Sequence, residues 1–230
     1  MSRPFFFVED LNDKKIALNE DTSKHMIHVL RMQKGEEILL TDGKGKKATT
    51  FIVNDNRKKC VVEISEIEEE KPRERKPAVG ISLIKNSSRF EWFLEKATEI
   101  GVSEIIPLIC ARTEKEKFRH DRMQNILISA MLQSQQCWLP LLHEPLEFEK
   151  ALQLSFEQKF IAHCLPGQKQ SLSAFTRYTS SIILIGPEGD FTQREITAAL
   201  QKDYQPVALG NTRLRTETAG IVAATLLVQL

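Results

Sequence analysis

Between residues 181 and 189 the chain reads Ser-Ile-Ile-Leu-Ile-Gly-Pro-Glu-Gly, and this run constrains the fold more than any other. A strand that is almost wholly apolar has no face to give to water. Bounded by helices, it belongs to a parallel sheet covered on both sides. The same rhythm continues around it. Strands are expected at Ala78–Ile84, Glu104–Cys110, Lys159–Cys164, Ser181–Ile185 and Pro206–Leu209. Helices are expected at Arg89–Ile100 (closed by Gly101), His120–Gln136, Thr192–Lys202 and Thr216–Leu230.

Before residue 70 the pattern differs. Phe5–Val8 reads as a short strand, and Thr22 and Ser23 open a helix with Met26, Val29 and Leu30 on one face. Three strands follow at Glu36–Thr41, Thr49–Val53 and Cys60–Ile67. The first two are joined by Asp42-Gly43-Lys44-Gly45, a turn composition. Glu68–Pro77 is charged, carries two prolines and lacks any apolar residue. The expected organisation is a small, mostly antiparallel β domain over 1–70, a linker over 71–77 and an α/β domain over 78–230.

Composition excludes a disordered chain, since 41% of the 230 residues are hydrophobic and 27% charged. The net charge of +1 proposes no nucleic-acid partner, but local charge is less even. Lys44–Lys59 carries a net +5 and Glu63–Glu70 a net −5. Either the turns of the β domain present Lys and Arg to phosphates, or this is ordinary solvated surface.

Several classes of function have no support. Cys60, Cys110, Cys137 and Cys164 have no metal-ligand spacing, so no zinc or disulfide framework is expected, and each reads as a small buried hydrophobe in a reducing cytoplasm. The N-terminus is not a signal peptide, and the apolar stretch Ala219–Leu230 is too short for a bilayer. A soluble cytoplasmic chain with no membrane partner and no metal is expected. Walker A, GxGxxG, GxSxG and HExxH motifs are absent, His25 and His28 lack further ligands, and His120, His143 and His163 are unclustered.

Two loops carry the candidate chemistry. Gly186-Pro187-Glu188-Gly189-Asp190-Phe191 leaves the apolar strand and precedes Thr192 and Glu195, which have capping-box spacing. Such a loop exposes backbone amides and carbonyls at the carboxyl edge of the sheet, where α/β proteins bind ligands, although alone it is equally a tight strand-to-helix turn. Leu209-Gly210 then ends the next strand, and Asn211–Ala219 brings Arg213, Arg215, Glu217, Thr216 and Thr218 to a helix N-terminus. These groups suit an anion or a held carboxylate; in the plainer alternative Arg215 pairs with Glu217.

LIGPEGDFTQREI, LGNTRLRTETAG and Glu95–Arg112 (EKATEIGVSEIIPLICAR), with FFFV, HMIHVLRMQKGEE and TDGKG upstream, resemble the RsmE-type ribosomal RNA uridine-N3 methyltransferases of the SPOUT class. The matching motifs span nearly the whole chain in the family's order. The family usually has glycine where Asp190 stands and arginine where Thr212 stands.

The resemblance implies a SPOUT-type trefoil-knotted parallel sheet behind a small PUA-like β-barrel, acting as a homodimer on 16S rRNA in the small ribosomal subunit. S-adenosyl-L-methionine would be held by Leu165, Ile185, Gly186, Pro187, Glu188, Gly189, Leu209, Gly210, Leu214, Thr218 and Ala219. Arg215 would stabilise charge on the uracil, and Glu217 would orient Arg215 or take the proton. Arg3, Arg31, Lys46, Lys47 and Arg89 are the expected RNA contacts. The last helix, with Ile221, Val222, Leu226 and Val228, has almost no polar face and is expected to be buried nearly all round. Two further readings remain open: a catalytically inactive rRNA-binding or ribosome-assembly factor of the same fold, and a small-molecule enzyme with a non-Rossmann nucleotide pocket.

Overall fold

The computed structural model describes residues 3–114, 117–175 and 179–229. The chain divides into two compact units, Met1–Pro72 with Met131–Leu139, and Arg73–Ala130 with Pro140–Leu230.

In the first unit β1 (Phe5–Phe7), β2 (Lys15–Ala17), β3 (Glu37–Thr41), β4 (Lys46–Asn54) and β5 (Val61–Glu69) form one sheet in the order β1-β3-β4-β5-β2. β1 runs parallel to β3; the other pairings are antiparallel. Period-two alternation turns Ile38, Leu40, Ala48, Ile52 and Val62 into a core with Met26 and Leu18. Helix α1 (Glu20–Lys24) begins earlier than expected, because Asn19 caps it through a 2.8 Å bond from the Thr22 amide. It then widens into a π-type turn over His25–Val29, closed by Leu30 N–H donating to His25 O. That extra residue per turn rotates the register. Met26 is buried as expected, but Val29 and Leu30 point outward, 63% and 44% exposed. The segment Met131–Leu139 completes this unit: Lys44 bridges to Trp138, whose ring occupies the space a Cβ on Gly45 would need.

The second unit holds β6 (Lys76–Ser82), α2 (Ser87–Ile100), β7 (Glu104–Ile109), α3 (His120–Gln133), whose last turn belongs to the first unit, β8 (Leu141–Leu142), β9 (Leu146–Glu147) and α4 (Phe148–Ala151). β10 (Gln158–Ala162), β11 (Gln170–Ser171), β12 (Ser180–Ile185), α5 (Gln193–Leu200), β13 (Gln205–Ala208) and α6 (Thr216–Gln229) follow. The strands pair in parallel in the order β11-β13-β10-β12-β6-β7-β8, with β9 also on β7. Strand β6 starts at Lys76, inside the stretch expected as linker. Strands β12 and β6 are buried along almost their whole length, as an apolar strand in a covered parallel sheet must be. β10 lies between β12 and β13, so three carboxyl ends that are separate in sequence are neighbours in space.

On α6, Gly220, Ala223, Ala224 and Leu227 are buried, whereas Ile221, Val222, Leu226 and Val228 are only half-buried within the single chain. α6 packs on α2 so closely that a Cβ on Gly220 would lie 2.7 Å from the Phe93 ring and 2.8 Å from Ile81. No helix among the described residues is long and apolar enough to cross a membrane.

Candidate active site

A cleft of ≈ 860 Å³ opens where the chain leaves β10, β12 and β13. This is the carboxyl edge of the sheet beside a reversal of strand order, where ligands of open α/β sheets bind. Three loops wall it: His163–Cys164 after β10, Gly186–Glu188 with Asp190 after β12, and Leu209–Glu217 after β13.

The middle loop is held by its own side chains. Asp190 sits at φ 63, a left-handed conformation that asparagine, aspartate and glycine tolerate best. Its Oδ2 accepts the Cys164 amide at 2.8 Å and its Oδ1 the Phe191 amide at 2.8 Å. Asp190, where the resemblance leads to an expectation of glycine, thus ties two walls of the cleft together. Glu188 Oε1 accepts the Lys85 amide at 3.1 Å, and Arg112 Nη1 donates to Gly189 O at 2.6 Å. Beneath the loop the expected capping box is present. Glu195, buried, accepts from Thr192 N–H and Oγ1 at 2.7 Å each, and its other oxygen accepts the Ala111 amide at 2.8 Å.

The first wall supplies groups that the spacing of residues could not reveal. Lys169 Nζ donates to His163 O at 2.7 Å and Leu165 O at 2.6 Å, closing the loop on itself. The His163 Nδ1 atom is buried without a hydrogen-bond partner. Burial and the Lys169 ammonium push the imidazole pKa down, with Asp190 opposing them. His163 is therefore neutral at neutral pH. Cys164 is exposed on the cleft wall, unlike buried Cys60, Cys110 and Cys137, so for it the expectation of a buried hydrophobe fails. Burial pushes the Cys110 thiol up to about 12.

The third wall leads into α6. Glu217 stands in the first turn, where the helix dipole favours an anion. Its side chain is 8% exposed and its Oε1 lies 3.6 Å from Arg89 Nε. Oε2 is buried and has no partner. The cation beside Glu217 is thus Arg89, not Arg215 as in the plainer reading of the loop. Arg213 and Arg215 line the cleft and form no ion pair among the described residues.

Of the residues expected at the cofactor, Ile185, Gly186, Pro187, Glu188, Leu209, Gly210, Leu214 and Ala219 line the cleft, with Arg215, Glu217 and Arg89. Leu165, Gly189 and Thr218 do not: Leu165 packs toward the core, and the Gly189 carbonyl is taken by Arg112. Arg3, Arg31, Lys46 and Lys47 belong to the first unit. There Arg3 pairs with Glu37, Lys46 with Glu69 at 3.7 Å and Lys47 with Glu68 at 3.0 Å. Arg31 is exposed at φ 57 and forms no ion pair among the described residues. No group of three or more His, Cys, Asp or Glu side chains is disposed to hold a metal among the described residues.

Residues 71–228 match the RNA methyltransferase domain family, and residues 18–65 the RNA methyltransferase PUA domain. The chain belongs to the RNA methyltransferase family. It is 29% identical over 217 residues to the ribosomal RNA small subunit methyltransferase E of Bacillus subtilis, covering 86% of this chain and 84% of that protein. A probable rRNA-methyltransferase from Porphyromonas gingivalis superposes with a TM-score of 0.90 at 35% identity, covering 96% of this chain and 95% of the other. The small subunit methyltransferase E of Neisseria gonorrhoeae, solved bound to S-adenosyl methionine, superposes at 0.87 with 26% identity, over 97% and 95% of the two chains. The fold of this family member is thus the SPOUT-like α/β domain with a PUA domain ahead of it.

Proposed function

We propose that this chain methylates N3 of a specific uridine in 16S rRNA of the small ribosomal subunit, using S-adenosyl-L-methionine. The observation that carries the reading is the cleft at the ends of β10, β12 and β13, with two buried polar atoms of its lining residues, His163 Nδ1 and Glu217 Oε2, left without partners among the described residues. Buried polar atoms are almost always satisfied, so two orphans on residues of one cleft fit a ligand that brings polar groups. The Gly186–Glu188 and Leu209–Gly210 backbone, with Ile185, Leu214 and Ala219, suits a flat nucleoside, and the cofactor would rest there. Leu165, Gly189 and Thr218 remain expected contacts of the bound state. When bound, the sulfonium supplies an electrophilic methyl group for in-line displacement.

The chain's residues do the rest. Uracil N3 carries a proton, and as it leaves, negative charge spreads to the flanking carbonyl oxygens. Arg215, which lines the cleft without an ion pair among the described residues, stabilises that charge. Glu217 Oε2 takes the proton. N3 lies on the pairing edge of the base, so the target is unpaired or drawn out of its stack. Arg31 remains the phosphate contact with least competition, joined by the exposed Arg57, Lys58 and Lys59 of the β4–β5 turn. Arg3, Lys46 and Lys47 would have to exchange a carboxylate for a phosphate.

A homodimer and a deep trefoil knot belong to the same reading, as does work in the cytoplasm without metal or membrane. The half-buried apolar face of α6 supports the dimer. Mass spectrometry of 16S rRNA from cells with and without the protein tests the activity. Loss of one N3-methyluridine is expected; an unchanged RNA, or no binding of S-adenosylmethionine by calorimetry, overturns it.

A further inference from the structure

Arg89 was grouped above with the phosphate contacts, and its surroundings argue for another role. It sits in the first turn of α2, three residues after the Asn86 cap. A cation at a helix N-terminus opposes the helix dipole, so its position there needs a compensating partner. That partner is Glu217, whose own place at the N-terminus of α6 is favourable for an anion. Both residues line the same cleft.

The packing explains why they meet. Arg89 and Phe93 are one turn apart on α2; Glu217 and Gly220 are one turn apart on α6. Phe93 fits against Gly220 at a distance no larger side chain permits, and that contact sets Arg89 opposite Glu217. The entry to α2 is held as well, because Glu188 accepts the amide of Lys85 just before the Asn86 cap. The guanidinium approaches one carboxylate oxygen and leaves the other, buried, with no hydrogen-bond partner among the described residues.

We propose that Arg89 is a positioning residue for Glu217: it holds Oε1 so that Oε2 faces the proton on the target base. This rests on the methyltransferase reading and deepens it. In the step served, the N3–H proton passes to Oε2, the N3–methyl bond forms, and the electrons of the broken carbon–sulfur bond stay on sulfur. Arg89 touches neither donor nor acceptor of the methyl group.

The test compares wild type with Arg89→Ala, Arg89→Lys, Glu217→Gln and the double variant Arg89→Ala/Glu217→Gln on small-subunit RNA. A positioned base contributes about 10²–10⁴-fold. Arg89→Ala is expected to lose about tenfold or more of kcat, up to the whole contribution of the base, with KM for RNA and the salt slope of RNA binding unchanged. Arg89→Lys should recover part of the loss, and the double variant should fall no further than Glu217→Gln, as for residues acting as a unit. Calorimetry with S-adenosylmethionine should give wild-type affinity for each variant, which also reports an intact cleft. A raised KM for RNA with a salt slope reduced by about one, at unchanged kcat, would make Arg89 a phosphate contact and overturn the proposal. Additive losses in the double variant would overturn it too. Inactive wild type would instead remove the underlying reading.

Discussion

Charge is arranged in opposite ways on the first sheet and at the cleft. Where β4 pairs antiparallel with β5, Lys46 and Lys47 of the +5 run meet Glu69 and Glu68 of the −5 run in the open, while Arg57, Lys58 and Lys59 stay exposed in the turn beyond. Water is an adequate substitute for either partner, and such pairs contribute about 0–1 kcal/mol each. At the cleft, Glu217 is buried with one oxygen unmatched, and Arg215, which lines the same cleft, has no ion-pair partner among the described residues. A buried unmatched acceptor is costly, of order 1–3 kcal/mol. Pairing on the sheet neutralises Lys46 and Lys47; in the cleft the Arg89 pair leaves one Glu217 oxygen unmatched, and that preserves a site. The near-zero total charge conceals both.

The strongest break in this contrast would come from Arg215. Removing an electrostatic stabiliser of a developing anion costs about 10²–10³-fold in rate. Arg215→Ala should therefore lose that much kcat in single-turnover methylation while its melting temperature holds, because no protein partner is stranded. Full activity would place it among the incidental surface cations.

An intermediate effect is expected from His163. Its pKa in the folded chain lies below the usual 6.5, so as pH falls the unfolded chain takes up a proton first. Its contribution is full above 6.5 and is lost as pH drops from there through the lower folded value. Melting temperatures at about pH 7.5 and about pH 5.5 should differ more in wild type than in His163→Gln. Equal differences would show that burial at the cleft wall has no hold on this ring.

The smallest effect belongs to the sheet. Lys46→Ala and Lys47→Ala should each change unfolding free energy by about 0.2–1 kcal/mol in urea titrations. If they also leave the salt slope of RNA binding unchanged, their carboxylate partners outcompete phosphate; a slope lowered by about one per lysine would mean that the pairs open on contact.

Local signals in the sequence carried far. Apolar runs located every main strand of the parallel sheet, Gly101 ended α2 at φ 97 as a helix C-cap should, and Thr192 and Glu195 formed their box. Glycine and proline marked the two loops that wall most of the cleft. What remained hidden depends on non-local order. Nothing near His163, Cys164 or Lys169 says that β10 is flanked by β12 and β13, and only that order brings those residues to the cleft. Cross-strand register, likewise, decides that Lys46 and Lys47 are paired. The π-type turn after α1 shifted Val29 and Leu30 outward because it departs from the 3.6-residue period on which their placement relied.

The Trp138 ring over Gly45 sets a schedule for synthesis. A nascent chain that has emerged through residue 72 holds all five strands of the first sheet, yet lacks the segment Met131–Leu139 that belongs with them. The ribosome must deliver β6, α2, β7 and α3 before the first unit can close. At about 5–20 residues per second the sheet spends several seconds with the Gly45 turn uncovered by Trp138. The part made first is finished late.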